Sequence, residues 1–94
     1  NKMPLHPRKE ESLVSFKKVQ SLMPKIIEMV RKDEYCIDIM QQNLSAIGLL
    51  RSAHKMLMEA YLNTCFKKAM ATKNEEKKQE MIEEILKVTK LFNK

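Results

Sequence analysis

The stretch YCIDIMQQNLSAIGLLRSAHKMLMEAYLNTCFKKAMA, residues 35–71, decides the fold of this 94-residue chain. It contains no proline, and Gly48, the only glycine of the chain, is its one weak point as a helix. All three prolines lie in the first quarter of the sequence. The Gly, Pro and Asn-Gly signals that strands and hairpins need are therefore missing from the rest. The sequence predicts an all-α protein built around one long central helix.

A shorter helix is expected on the N-terminal side. Apolar residues recur at spacings of three and four from Leu13 to Val30, which is the spacing of one helix face. Pro24 interrupts this pattern, and its missing N–H is expected to kink or break the helix. Asp33 follows as a candidate N-cap for the central helix. The residues before Leu13 are polar and are expected to form a flexible tail over residues 1–12, although His6-Pro7 suits a helix start because proline is tolerated in the first turn.

The C-terminal side of the central helix carries the start signal of a third helix. Thr72, with Glu75 three residues later, has the pattern of a capping box, and apolar residues recur from Met81 to Phe92. Residues 13–94 are therefore predicted to be a single domain, a three-helix protomer. A chain of this length buries only about 60% of its unfolded surface, so we expect oligomerisation to complete its core.

The charge of the chain favours acidic partners. The formal net charge is +6, which suits nucleic acid or a membrane surface, although lysines also serve solubility. No apolar run approaches the ~20 residues that cross a bilayer, and no secretory signal is present. Two cysteines are too few for a disulfide scaffold, so we expect a reducing, cytoplasmic location.

Cys36 and Cys65 are the only cysteines, and they lie 29 positions apart. On one ideal helix they would be roughly 43 Å apart along the axis and ~20° apart around it. One chain cannot bring them to one ion, but two chains packed antiparallel about a two-fold axis can. The seam of such a dimer would comprise Ile47, Leu50, Ala53 and Leu57. The alternative is that both cysteines are small, buried core residues.

Other classes of function have less support in the sequence. One glycine cannot make a phosphate-binding loop, and no Ser-His-Asp or Cys-His spacing indicates an enzyme. His6 lies in the predicted tail, from which it could swing in as a metal ligand. A helical protein-interaction module that binds a partner helix or an acidic surface, without a role on DNA, remains a rival.

The stretch EYCIDIMQQNLSAIGLLRSAHKMLMEAYLNTCF, residues 34–66, resembles the central helix of the CsoR/RcnR family of metal- or thiol-sensing transcriptional repressors. The likeness runs over about residues 13–92. The matching places are Tyr35-Cys36, Gln41-Gln42, Ser45-Ala46-Ile47 and Tyr61-Leu62-Asn63-Thr64-Cys65.

The resemblance implies a DNA-binding repressor without a helix-turn-helix. Its protomers would form antiparallel dimers and then a dimer-of-dimers tetramer, which releases operator DNA when an inducer binds between subunits. The resemblance implies Cys36 of one chain and Cys65 of another as ligands of copper(I) or a similar soft metal. Tyr61 stands in the place of the family's histidine and is a further ligand candidate. Tyr35 and Glu80 are the implied neighbours of these ligands.

Two departures from the family pattern bear on function. A phenol, with an ordinary pKa near 10, is a weaker ligand than the imidazole that Tyr61 replaces. The alternative inducer is therefore reactive sulfur, as in the family's persulfide-sensing branch, acting on the same two thiols. In the first helix, lysines replace the family's arginine pair. The implied DNA contacts are Lys17, Lys18 and Arg51, with Arg8, Lys9 and Lys25 as supporting candidates.

Overall fold

The computed structural model describes residues 6–94, which are helical with no strand in that range. Helical structure runs from Cys36 to Met70 without interruption, so the predicted all-α fold with a long central helix is confirmed. The elements in chain order are α1 Pro7–Arg31, α2 Cys36–Tyr61, the π-helical segment Leu62–Phe66, α3 Lys67–Met70 and α4 Glu75–Phe92. The chain divides into two compact units, of which the first ends at Ala60 and the second is Tyr61–Lys94.

The first helix starts earlier than the sequence pattern predicts. Pro7 is its first residue, a position that proline suits because the N–H it lacks would have no helical partner. His6 caps the helix, since its Nδ1 accepts a hydrogen bond from the N–H of Arg8 at 3.1 Å. The predicted flexible tail is therefore wrong for residues 7–12, and residues 1–5 lie outside the described residues.

The predicted break at Pro24 is also wrong, because α1 continues through this residue to Arg31. Pro24 cannot donate to the carbonyl of Gln20, one helical turn earlier. Both residues lie on the exposed side of α1, where water can satisfy that carbonyl in place of the missing donor.

A Schellman motif ends α1. The N–H of Glu34 donates to the carbonyl of Met29, and the N–H of Asp33 donates to the carbonyl of Val30, each at 3.0 Å. Asp33 has a φ of 53°, in the left-handed region that aspartate tolerates better than most residues. Asp33 therefore terminates α1, and the prediction that it caps α2 is wrong.

The core of the first unit is a seam between α1 and α2. Its buried residues recur mostly at three, four or seven positions, which is typical of a two-helix coiled coil. They are Ser12, Ser15, Ile26 and Met29 on α1, and Ala46, Ala53 and Ala60 on α2. Ala53 is 0% exposed and belongs to this seam within one chain, so its predicted place in a seam between chains is wrong.

The second unit contains the π-helical segment, α3 and α4. Asn74 is the N-cap of α4, since its Oδ1 accepts from the N–H of Lys77 at 3.1 Å. The hydroxyl of Thr72 instead donates to the carbonyl of Ala69 at 2.7 Å, so the predicted capping box is not formed. Met81, on α4, is the buried apolar residue of this helix.

Candidate functional site

The two helices of the first unit run antiparallel, and the pair has two flanks beside its core. Arg8, in the first turn of α1, bonds Glu11 on its own helix at 2.6 Å and Glu59 near the end of α2 at 2.8 Å. Glu11 and Glu59 therefore lie on one side of the pair. In an antiparallel coiled coil, residues seven positions apart on one helix lie on the same side of the pair. The buried seam and the contact of Arg8 with Glu59 therefore assign the other residues to one side or the opposite one.

One side, the polar flank, carries mostly charged and hydroxyl side chains. Its members are Glu11, Lys18, Lys25 and Lys32 from α1 and its C-cap, and Asp38, Ser45, Ser52 and Glu59 from α2. The hydrogen bond to Glu59 raises the pKa of the Arg8 guanidinium above its ordinary value. Arg8, a supporting candidate for DNA contact, is thus held between two carboxylates in this structure.

The opposite side, the apolar flank, exposes large apolar side chains. Its apolar members, together with Cys36 at the start of α2, are Leu13, Phe16, Met23, Ile27 and Val30 from α1, and Met40, Ile47, Leu50 and Leu57 from α2. Gln20 and Asn43 are polar residues among them. Most are more than a third exposed, as with Met40 at 51% and Leu50 at 44%. Contiguous exposed apolar side chains of this kind mark interaction sites on soluble proteins.

Cys36 is the first residue of α2, and its side chain is exposed. The first turn of α2 leaves backbone N–H groups without helical partners at this position, so the positive end of the helix dipole lies here. Tyr35, just before it, is 69% exposed, and its carbonyl accepts the first helical bonds from Asp38 and Ile39. Cys36 is therefore open to solvent at one end of the apolar flank.

Cys65 lies in the π-helical segment and is also exposed. The alternative that both cysteines are buried core residues is therefore wrong. Short π-helical turns inside α-helices occur frequently at functional sites. Because the turn per residue changes there, the 100° count that put the two cysteines on one helix face applies only as far as Tyr61.

Tyr61, the last residue of α2, makes one contact through its hydroxyl and another through its ring. Its hydroxyl donates to the thioether sulfur of Met81 at 3.4 Å, and its ring lies 6.1 Å from that of Phe66 with a 49° tilt. Burial raises the pKa of the Tyr61 phenol, and the charges of Glu84 and Cys65 raise it further. Tyr61 is therefore a neutral phenol at physiological pH.

The sequence pattern does not reveal that Met81 accepts the hydrogen bond of Tyr61, or that the charge of Glu84 acts on its phenol. The pattern places Met81 on the apolar face of the third helix, and no local motif connects it to residue 61. Glu80, the carboxylate implied by the resemblance, is exposed on α4 beside a shallow cleft. The cleft is lined by Lys77, Glu80, Glu83, Glu84 and Lys87. Glu84, one turn after Glu80, is the carboxylate that perturbs Tyr61.

The remaining candidates lie in different places. His6 uses Nδ1 as a helix cap, which leaves only Nε2 for any ligand. Lys9 is exposed on the apolar flank, seven residues before Phe16. Lys17 is exposed on the outer side of α1, and Arg51 is exposed on the outer side of α2. Lys18 and Lys25 lie on the polar flank.

Comparison with known proteins identifies the family of this chain. The model of the metal-sensitive transcriptional repressor family matches residues 8–91. The chain belongs to this family. The match confirms the resemblance to CsoR/RcnR proteins, and it confirms the expectation of a non-enzymatic protein, because the family consists of transcriptional repressors.

Curated relatives within the family include copper-sensing transcriptional repressors CsoR from Mycobacterium bovis, Mycobacterium tuberculosis and Mycobacterium ulcerans. Each is 30% identical to the chain over 66 residues, which are 70% of this chain. The matched region spans 56% of the length of these relatives.

Two further observations concern metal-binding clusters and membrane spans in this chain. Across residues 6–94, no group of three or more His, Cys, Asp and Glu side chains comes together in a way that could hold a metal ion. In the same range, no helix combines the length and apolar character that a bilayer crossing requires.

Proposed function

We propose that the chain is a DNA-binding transcriptional repressor that assembles as a dimer of antiparallel dimers. An inducer, copper(I) or a similar soft metal, binds Cys36 of one chain and Cys65 of another, and the tetramer then releases its operator. Family membership supports the repressor over the helical interaction module without a role on DNA. The cytoplasm is the location that suits this function.

The observation that carries the proposal is the position of Cys36 on the exposed apolar flank. Burying Met40, Ile47 and Leu50 requires a surface that this hairpin does not supply itself. A second chain that covers the flank also covers Cys36. An inducer bound there contacts two chains at once, and it can therefore change the angle between them and the fit of their basic surfaces to DNA.

The donor atoms suit copper(I). Thiolates are soft ligands, and two of them are sufficient for copper(I) in a near-linear geometry. Tyr61 does not add a good third ligand, because its neutral hydroxyl is already bonded to Met81. The two sulfurs would hold the ion without the nitrogen that the family's histidine provides.

The same observation on Tyr61 favours reactive sulfur as a second candidate inducer. The Cys36 thiolate would attack the outer sulfur of a persulfide RSSH, forming a Cys36 persulfide and releasing RSH. The partner's Cys65 thiolate would then displace hydrogen sulfide and form a disulfide across the interface. Overall, two thiols are oxidised and RSSH is reduced to RSH and H₂S, so the step needs no other oxidant.

Mixed dimers test whether the site lies between chains. Cys36→Ser and Cys65→Ser chains with different tags would be refolded together and purified by both tags, with dimers of each single variant as controls. Anaerobic titration with copper(I) and, separately, with a persulfide donor would then be followed by bound metal, mass and release of DNA. The DNA is a duplex that the wild-type protein enriches from a random-sequence pool.

Each single variant is expected to lose the site, and the mixed dimer to regain one of the two sites of the wild type. Release of the duplex by copper(I) would support the metal sensor, and release by the persulfide donor with a cross-chain disulfide would support the sulfur sensor. A mixed dimer as inactive as its parents, or single variants that still release DNA, would contradict the proposal.

A further inference from the structure

Three lysines of the polar flank form a straight ridge along α1. Lys18, Lys25 and Lys32 are seven residues apart, so they project from the same side of the coiled coil at intervals of about 10.5 Å. Lys32 is the C-cap residue of α1, and its N–H still donates to the carbonyl of Glu28 at 2.9 Å, so its Cα lies on the helical path. All three residues are exposed.

The charges around this ridge leave it positive. None of the three lysines has a carboxylate within ion-pair distance among the described residues. Of the flank's carboxylates, Glu11 and Glu59 are both bonded to Arg8, beyond one end of the ridge. Asp38 lies in the first turn of α2, where the helix dipole favours its negative charge. Next to the ridge, Lys17 and Arg31 on the outer side of α1 add two positive charges. Three carboxylates, those of Glu28, Asp33 and Glu34, lie near Lys25 and Lys32, so the five cations still outnumber them.

We propose that Lys18, Lys25 and Lys32 are a phosphate-contact ridge for duplex DNA. This inference rests on the proposed function and specifies which surface meets DNA. The phosphates of one strand are 3.4 Å apart along the duplex axis but also wind around it, so a straight ridge can neutralise only the phosphates that face it. Such contacts position a protein without reading base sequence, which agrees with the lack of a recognition helix.

The ridge and the apolar flank are opposite sides of the hairpin, so a second chain and DNA can bind at the same time. Lys32 is new to the candidate set, because the family pattern pointed to the start of α1 and to Arg51. Arg8 is not part of the ridge, since it bonds Glu11 and Glu59. Arg51 projects from the outer side of α2 and does not belong to this surface within one chain.

The test is the salt dependence of binding to a random-sequence duplex of about 30 base pairs, without inducer. Lys18→Gln, Lys25→Gln and Lys32→Gln would be compared with Lys90→Gln, which removes the same charge from an exposed site in the last turn of α4. The slope of log K against log salt should fall by about 0.9 for each phosphate that a variant no longer neutralises. Lys25→Arg should retain the wild-type slope, and circular dichroism would check that each variant is folded.

The ridge is overturned if the three glutamine variants match Lys90→Gln in slope and affinity. It is also overturned if they lose binding to phosphatidylserine vesicles while binding to the duplex is unchanged, which would assign the surface to anionic lipid. Failure of the proposed function would appear elsewhere, as a wild-type protein that binds DNA but does not release it on treatment with copper(I) or a persulfide donor.

Discussion

Tyr61 has the clearest chemical consequence of any single residue. Its hydroxyl donates to a thioether, a weak acceptor, in a partly buried site near a cysteine. The hydrogen bond holds the ring in place, while the raised pKa keeps it neutral. Tyr61 stands where the family pattern has a histidine and provides no nitrogen, so under the proposed function the two thiols are the reactive groups.

Substitutions at position 61 should separate these roles. Tyr61→Phe is expected to leave copper(I) affinity within about twofold of wild type, because the phenol is not a ligand. Tyr61→His should tighten binding by on the order of tenfold or more, about 1.4 kcal/mol. Anaerobic competition with a copper(I) chelator measures both. A large drop in the affinity of Tyr61→Phe would show that the phenol does bind the metal.

Tyr61 also predicts a difference in stability at high pH. Because folding raises the pKa of this acid, the neutral phenol contributes stability that is fully present below the ordinary pKa of about 10. That contribution is lost as pH rises through the raised value. The stability of wild type minus that of Tyr61→Phe, from urea unfolding, should therefore decline above about pH 10. A difference that does not change with pH would contradict this account.

At the scale of elements, the sequence predicts what periodicity and breaker residues encode. The uninterrupted run 35–71 predicted the central helix, because no proline interrupts its apolar pattern. The ends of helices are harder to predict, because several neighbouring residues can cap a helix and the backbone geometry determines which one does. Asp33 and Thr72 are both acceptable caps, yet Asp33 ends α1 in a left-handed conformation and Asn74 caps α4 instead. The contact of Tyr61 with Met81 joins two elements, and no spacing rule reveals it.

The connection between α1 and α2 gives a prediction of its own. Asp33→Val should reduce the free energy of unfolding by about 1–2 kcal/mol, because a β-branched side chain is strained at the φ of 53°. Asp33→Asn is the matched control and should remain within a few tenths of a kcal/mol of wild type. Chemical denaturation would measure both. Equal stability of the two variants would show that the left-handed turn does not persist in solution.

For the whole molecule, the proposed assembly depends on the apolar flank. Leu50→Glu places a charge where a second chain is expected to pack, so the dissociation constant should rise about a hundredfold or more, about 2.8 kcal/mol. Ser45→Glu adds the same charge on the polar flank and should leave assembly unchanged. Sedimentation velocity over a range of concentrations would show both results. If Leu50→Glu assembles like Ser45→Glu, the apolar flank is not the interface.

The four-residue link between α1 and α2 also bears on how the protein is made. A hairpin whose contacts are mostly local in sequence folds quickly, well before a second chain can arrive by diffusion. Under the proposed assembly, each newly synthesised chain therefore exposes its apolar flank until it meets a second chain, and this time is shorter when the protein is more concentrated. Slow synthesis should favour aggregation and chaperone binding of single chains, whereas rapid synthesis should favour the assembled oligomer.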